Sequence, residues 1–404
     1  MLAQLSPAVR QYLLVTGNYW AFTLTDGALR MLVVLHFHQL GYSPLAIAML
    51  FLFYEIFGVV TNLVGGWLGA RLGLNRTMNI GLILQVMALS MLLVPAAMLT
   101  VPWVMAAQAL SGIAKDLNKM SAKSSIKLLV LDGQSGALYQ WVALLTGSKN
   151  ALKGTGFFLG GALLMWLGFA GAVGSMAVAL LLVWMASMVF LNKDLGRAKN
   201  KIKFSEIFSK SRAVNVLSAA RLFLFGARDV WFVVALPVFL ASQFGWDHWQ
   251  VGGFLALWVI GYGGVQSVAP RLTGRGADVL PDGRSAFGWA LLLTLVPAAI
   301  ALALTFELQP QWSLIGGLLV FGVLFAINSS LHSYLIVSYA NREGVSLDVG
   351  FYYMANAMGR LVGTLLSGWV YQVWGLTACL WISSLFLLLA ALIALALPKG
   401  VMER

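Results

Sequence analysis

Long apolar stretches recur along this chain, separated by short polar turns, and they limit the fold more than any other feature. A bilayer offers no water to unsatisfied backbone groups, so only helices or a closed barrel can cross it. The stretches far exceed the roughly 9–11 residues of a barrel strand and carry no strict alternation, so they read as helices. Hydropathy and turn signals predict twelve spans, at 12–38, 44–69, 78–95, 102–127, 138–166, 171–191, 213–242, 249–270, 286–305, 313–340, 349–373 and 377–397. Hydrophobic residues make up 60% of the 404 and charged residues 10%, against about 25% charged in soluble domains. The chain is expected to be an all-α polytopic membrane protein. The first apolar run contains Asp26 and Arg30, which the core of a cleavable signal would lack.

The longest interruption, residues 192–212, carries Lys193, Arg197, Lys199, Lys201, Lys203, Lys210 and Arg212 against Asp194 and Glu206. It is expected to link two six-helix halves, 1–191 and 213–404, as a solvated charge run with no ligand of its own. Arg10, Arg71, Arg76, this linker, Arg271, Arg275, Arg284, Arg342, Lys399 and Arg404 fall on one side of the predicted spans. The loops around Gly41, Ala97, Phe169, Trp246, Gln309 and Gly375 carry no Lys or Arg. Positive loops stay inside, so both termini are expected in the cytoplasm. The halves also look like diverged copies. At an offset of 204, Arg71 falls on Arg275 and Asn62 on Gln266, while Gly112–Asn118 matches Gly322–Asn328 and Asn150–Lys153 matches Asn356–Arg360.

Within the fourth span Lys115, Lys119, Lys123 and Lys127 recur every four residues, forming a stripe on one helical side that covers roughly 18 Å of depth. Lys127, and at most a snorkelling Lys123, suit a membrane surface, but Lys115 and Lys119 lie too deep. Charge at that depth faces protein or water, not lipid. Lys149 and Lys153 follow in span five, and the intramembrane set also holds Arg30, Arg221, Arg228 and Arg360. These nine bases face four acids, Asp26, Glu55, Asp116 and Asp229. The positive excess needs a compensating anion or water, so the expected ligand is a small, multiply anionic molecule such as a phosphate ester. Arginine offers it bidentate recognition and lysine a point charge. The substrate set is expected to be Arg30, Lys115, Asn118, Lys119, Lys149, Lys153, Arg228, Asn328 and Arg360, gathered in one central cavity.

Helical spacing pairs Asp26 with Arg30 and Asp116 with Lys119. Glu55 has no base within four residues on its helix, which makes it the favoured proton-coupling acid, ahead of Asp229; a structural pairing to another helix is the alternative. His332 is a second proton-handling candidate, or a hydrogen-bonded packing residue. His36, His38 and His248 read as surface histidines. The single cysteine, Cys379, excludes an internal disulfide and a thiolate metal site. No metal cluster or activated nucleophile stands out, so neither a cofactor nor an enzymatic role is expected, and nucleic acid is not an expected partner. A pump for lipophilic drugs would need a mostly apolar cavity and fits this charge balance poorly.

Two six-span halves with a basic middle loop resemble the major facilitator transporters. Gly66-Trp-Leu-Gly-Ala-Arg71-Leu-Gly73-Leu-Asn-Arg76 resembles that superfamily's loop between spans two and three. The resemblance implies a gating role for Gly66, Arg71, Gly73 and Arg76, in a charge network altered because Ala70 stands where the pattern has Asp. It also implies that spans 3, 6, 9 and 12 are peripheral, and those four contain no Asp, Glu, Lys or Arg. Gly154-Thr-Gly156 and Gly160-Gly161 in span five suit close helix packing.

The stretches Pro7–Arg30, Gln108–Lys127 and Leu145–Gly154 resemble, more specifically, the bacterial organoarsenical efflux permeases of the ArsJ family, and the likeness runs over nearly the whole chain. It implies export of arseno-phosphoglycerate across the bacterial inner membrane, a functional link to the glyceraldehyde-phosphate dehydrogenase that forms this ester from arsenate, and arsenate resistance as the outcome. An exchanger of another organic phosphate, or of phosphate itself, with the same fold is the alternative.

Overall fold

The computed structural model describes residues 6–42, 50–130, 134–192, 195–197, 207, 211–273 and 281–398. Most of the basic linker, with Arg275, Lys399 and Arg404, lies outside them. Helices dominate, and the architecture is all-α. They are α1 (Pro7–Gln39), α2 (Leu52–Leu72), α3 (Leu74–Met91) and α4 (Val101–Leu129), then α5 and α6, which share the run Ser135–Phe190. Next come α7 (Arg212–Phe244), α8 (His248–Thr273), α9 (Gly283–Thr305), α10 (Pro310–Tyr339), and α11 and α12, which share Val345–Ala394. Each shared run breaks at a glycine, Gly168 with φ +65° and Gly375 with φ +76°. An L side chain is strained at such angles, so these two positions turn the chain where the sequence places loops. Splitting the two shared runs at their breaks, and taking Arg212–Phe232 and Ala235–Phe244 together as one interrupted run, the described residues are consistent with the twelve expected spans. Seven runs are apolar and long enough to cross a membrane on those criteria alone; α1, α3 and α4 are more polar.

The chain divides into two compact units. Unit 1 holds Met1–Gln134, Ser148–Phe208 and Ala340–Met354; unit 2 holds Ser135–Gly147, Ser209–Tyr339 and Ala355–Arg404. Each unit thus takes a short piece of the other sequence half, so α5 and α11 change unit partway along.

In unit 1, α1 packs tightly on α5. A Cβ on Gly27 would lie 2.7 Å from the Lys153 carbonyl oxygen, and one on Gly160 would overlap that of Ala28. The glycines of span five therefore serve packing, as their spacing suggests. A polar chain ties α1, α6 and α3: Asn18 donates to Ser187 Oγ at 2.9 Å, and Ser187 donates to Asn79 at 2.6 Å. In unit 2 the core is aromatic, with Trp231 edge-on to Phe321 and Trp258 stacked on Tyr262; Cys379 is buried in the same cluster. Here α7 and α11 meet through Gly226, Gly359 and Gly363. The outside is apolar, as a lipid-facing surface is: Met165 is 75% exposed and Trp312 72%.

Candidate functional site

Two groups of charged side chains form, one in each unit. The group in unit 1 is built around Tyr54 on α2. Gly112 has no Cβ to collide with the Tyr54 backbone; one placed there would sit 2.7 Å from its carbonyl oxygen. This lets α4 come close enough to lay Lys115 over the Tyr54 ring, 3.8 Å from its centre. One turn on, Gly58 leaves room for Asp116, which is buried. Lys119 donates to Asp116 at 2.5 Å, and Lys115 lies 3.8 Å from the same carboxylate. One buried acid is thereby shared by two lysines.

Arg30 and Asp26 depart from the helical-spacing expectation. Arg30 pairs with Glu55 of α2 at 3.1 Å, and its guanidinium lies 4.7 Å from the Tyr54 ring centre. Asp26, 5% exposed, instead accepts the Tyr54 hydroxyl, at 2.8 and 3.0 Å from its two oxygens. The spacing rule describes an isolated helix; here a neighbouring helix supplies better partners for both residues. Lys123 also departs from the snorkelling alternative. It is 3% exposed and lies over the ring of Tyr353, 5.1 Å from its centre, beside Lys119 at 4.7 Å. Lys149 is half-buried and donates to Asn150 at 3.2 Å, while Lys153 rides on the part of α5 packed against Gly27. Unit 1 therefore gathers six intramembrane bases and three acids.

The group in unit 2 centres on Asp229, which is fully buried. Arg228 and Arg360 both reach it, at 2.5 and 3.1 Å. Arg228 is next to Asp229 in sequence and on the same carboxylate in space. Aromatic faces of Phe225, Phe232 and Phe325 lie 4.9–5.7 Å from its guanidinium. Arg221 is buried deeper; it donates to Asn356 at 2.8 Å and to the Ser329 carbonyl at 3.3 Å. His332 is buried on α10, and its Nδ1 makes no hydrogen bond among the described residues.

The two asparagines aligned between the halves make the same local bond. Asn118 donates to the Ala114 carbonyl and Asn328 to the Leu324 carbonyl, each at 2.9 Å and each one turn back. Their environments also correspond: Asn118 lies against Gly81 of α3, and Asn328 donates to Trp289 of α9. The structure thus turns Asn118 toward α3 and Asn328 toward α9, not toward the two charged groups.

The stretch from the end of α2 into α3 carries Gly66, Arg71, Gly73 and Arg76. Gly66 and Gly69 bring the start of α11 against α2, and Ser346 donates to the Gly66 carbonyl at 2.8 Å. Gly73 has φ +98° and donates back to Gly69. Arg71 is exposed and stacks over Trp67; Arg76 is exposed. Among the described residues, no group of three His, Cys, Asp or Glu could hold a metal ion.

Sequence reasoning overlooked Tyr54, Tyr353 and Asn356. A tyrosine in an apolar span carries no signal of its own, although Asn356 was visible as the counterpart of Asn150.

The profile of the Major Facilitator Superfamily matches residues 13–281. The chain belongs to that superfamily. The human organic anion transporter MFSD10 superimposes with a TM-score of 0.76 at 18% identity, over 96% of this chain and 100% of that one. A bacterial homologue of the iron transporter ferroportin, outward-facing, gives 0.74 at 15% identity over 97% and 99%. The Escherichia coli fucose:proton symporter FucP gives 0.72 at 13% over 97% and 100%. At such identities the likeness is one of fold. No curated protein matches the sequence. As a member of this superfamily, the chain is a multi-pass membrane protein of a transporter family.

Proposed function

We propose that this facilitator exports a small, multiply anionic organic ester, with arseno-phosphoglycerate as the favoured substrate and arsenate resistance as the result. The observation that carries the proposal is the sharing of acids. Asp116 serves both Lys115 and Lys119, and Asp229 serves both Arg228 and Arg360, so each group keeps more positive charge than its acid can neutralise. In a low-dielectric interior such charge favours an anion. The ArsJ-like stretches carry several of these residues, including Asp26, Arg30, Lys115, Lys119, Lys149 and Lys153, and the ester they imply bears both phosphate and arsenate. The organic-anion specificity of MFSD10 agrees in sign. In this proposal the protein sits in a bacterial inner membrane with both termini in the cytoplasm. It acts downstream of the dehydrogenase that makes the ester.

Everted membrane vesicles test it. Labelled arseno-phosphoglycerate, generated in the assay by glyceraldehyde-phosphate dehydrogenase with arsenate, should accumulate only when the protein is present. Phosphoglycerate or phosphate competing equally well would favour the exchanger instead. No accumulation of any of the three would reject both.

A further inference from the structure

Helices α7 and α10 of unit 2 face each other in a register that two contacts fix. Phe225 and Phe325 meet with ring centres 5.1 Å apart, and Arg221 donates to the Ser329 carbonyl at 3.3 Å. Four residues back on α7 thus match four residues forward on α10, as in an antiparallel pair. Continuing the step brings Ser218 level with His332, and Val214 level with Ile336. Positions 214, 218, 221 and 225 are spaced three and four apart, as are 325, 329, 332 and 336, so each set shares one helical face. The middle of these facing stripes is polar and deeply buried: Ser218 is 2% exposed, Arg221 3% and His332 1%. Ser218 Oγ and His332 Nδ1 form no hydrogen bond among the described residues. The Arg221 charge acts on the His332 ring, and its guanidinium is also held by Asn356. Buried polar atoms are ordinarily satisfied, so a layer with a buried guanidinium and two unsatisfied polar atoms points to a bound partner.

We propose that this layer is a binding site for one small inorganic anion of chloride size, separate from the two groups described above. The Ser218 hydroxyl and a ring N–H of His332 supply hydrogen-bond donors, and Arg221 supplies the charge. Charge favours an anion over water here. Of the four intramembrane acids, unit 2 holds Asp229, and both Arg228 and Arg360 reach it. Adding Arg221 leaves the buried charge of the unit positive, and a buried charge needs compensation. Size follows from the walls of the layer. Phe225 and Phe325 close one side, while Val214 and Ile336, both fully buried, close the other. A single polar layer between two apolar ones suits a one-atom ion and has no room for an organic ester. The bound ion would hold α7 and α10 together from within unit 2.

The test compares purified full-length protein in sodium chloride and in sodium gluconate at equal ionic strength, gluconate being too large for the layer. A ligand that binds the folded state raises its melting temperature, so the parent should melt several degrees higher in chloride. Ser218→Ala removes one donor and little volume; it should fold, match the parent in gluconate and lose most of the chloride gain. His332→Gln keeps a donor and should retain part of the gain, whereas His332→Leu should lose it. Lys119→Ala and Arg360→Gln, which alter the two other charged groups, should keep the whole gain. Crystals soaked in bromide should show an anomalous peak between Ser218 and His332. Equal melting of the parent in both salts overturns the proposal and leaves water as the partner of the two unsatisfied atoms. A chloride gain that survives in Ser218→Ala and His332→Leu but disappears in Arg360→Gln also overturns it, because the ion then belongs to the Asp229 group.

Discussion

Arg360 on α11 and Asp229 on α7 are 131 positions apart in sequence and 3.1 Å apart in space. The carboxylate is fully buried and also holds Arg228, so removing it leaves two guanidinium groups in a poorly solvated place. Breaking a buried pair by deleting one partner costs roughly 3–5 kcal/mol. Asp229→Asn should therefore lower the detergent melting temperature markedly. Arg360→Gln should lower it less, because Arg228 still serves the acid. Equal melting temperatures for the two variants would remove Asp229 from the centre of this group.

Close helix approach predicts which glycines tolerate a methyl group. Gly359→Ala would drive a Cβ into the Leu222 carbonyl oxygen, and Gly350→Ala would place one within 2.6 Å of that of Asn62. Overpacking of this kind costs about 1–3 kcal/mol. Gly17 has nothing within 4 Å, so Gly17→Ala is expected to be neutral or slightly stabilising. Thermal stability of the three variants, measured side by side, checks the ranking.

The fold was legible because a membrane imposes simple demands on sequence. Apolar length, basic loops and uncharged spans 3, 6, 9 and 12 follow from solvation, which acts residue by residue. Asn118 and Asn328, aligned as counterparts in the two expected halves, each donate to the carbonyl one turn back. Partners across helices were not legible. Arg30 was matched to Asp26 by spacing, yet it meets Glu55 because α2 passes beside α1. Tyr353 and Lys119 meet only because α11 packs into unit 1. Gly66 and Gly350 make that approach possible, but in a chain with 42 glycines nothing in the sequence marks these two as a contact. Charge could be counted from the chain, whereas its pairing required the helices to be placed.

The lysines should matter through charge. Lys115→Ala, Lys119→Ala, Lys149→Ala and Lys153→Ala each remove one charge-assisted contact, worth about 1.5–3 kcal/mol, or roughly a ten- to hundredfold loss of apparent affinity. Membrane insertion should be unchanged. Lys119→Arg should retain more activity than Lys119→Ala because it preserves the charge beside Asp116. Lys123→Ala belongs with this set, since its side chain is buried with Lys119 over one ring and does not reach a surface. Wild-type vesicle uptake in all of the alanine variants would sink the anion site.

If uptake is driven by protons, the partners of the four acids single out one of them. Of the four intramembrane acids, Glu55 meets Arg30, Asp116 meets two lysines, and Asp229 meets two arginines. Neutralising any of these breaks an ion pair with a cation. Asp26 is different: its contact is the hydroxyl of Tyr54, a neutral group, and it is 5% exposed. A proton can arrive there without breaking an ion pair, and the phenol can turn from donor to acceptor when it does. Asp26 lies one turn from Arg30 and shares Tyr54 with Lys115, so its charge is felt by bases expected to meet substrate. Proton-driven accumulation in everted vesicles should therefore be lost in Asp26→Asn and retained, with weakened substrate affinity, in Glu55→Gln. Tyr54→Phe should lower proton-driven uptake without abolishing it, because the ring near Lys115 and Arg30 remains while the hydroxyl on Asp26 is gone. Retained accumulation in Asp26→Asn, together with its loss in Glu55→Gln, would return the coupling role to Glu55.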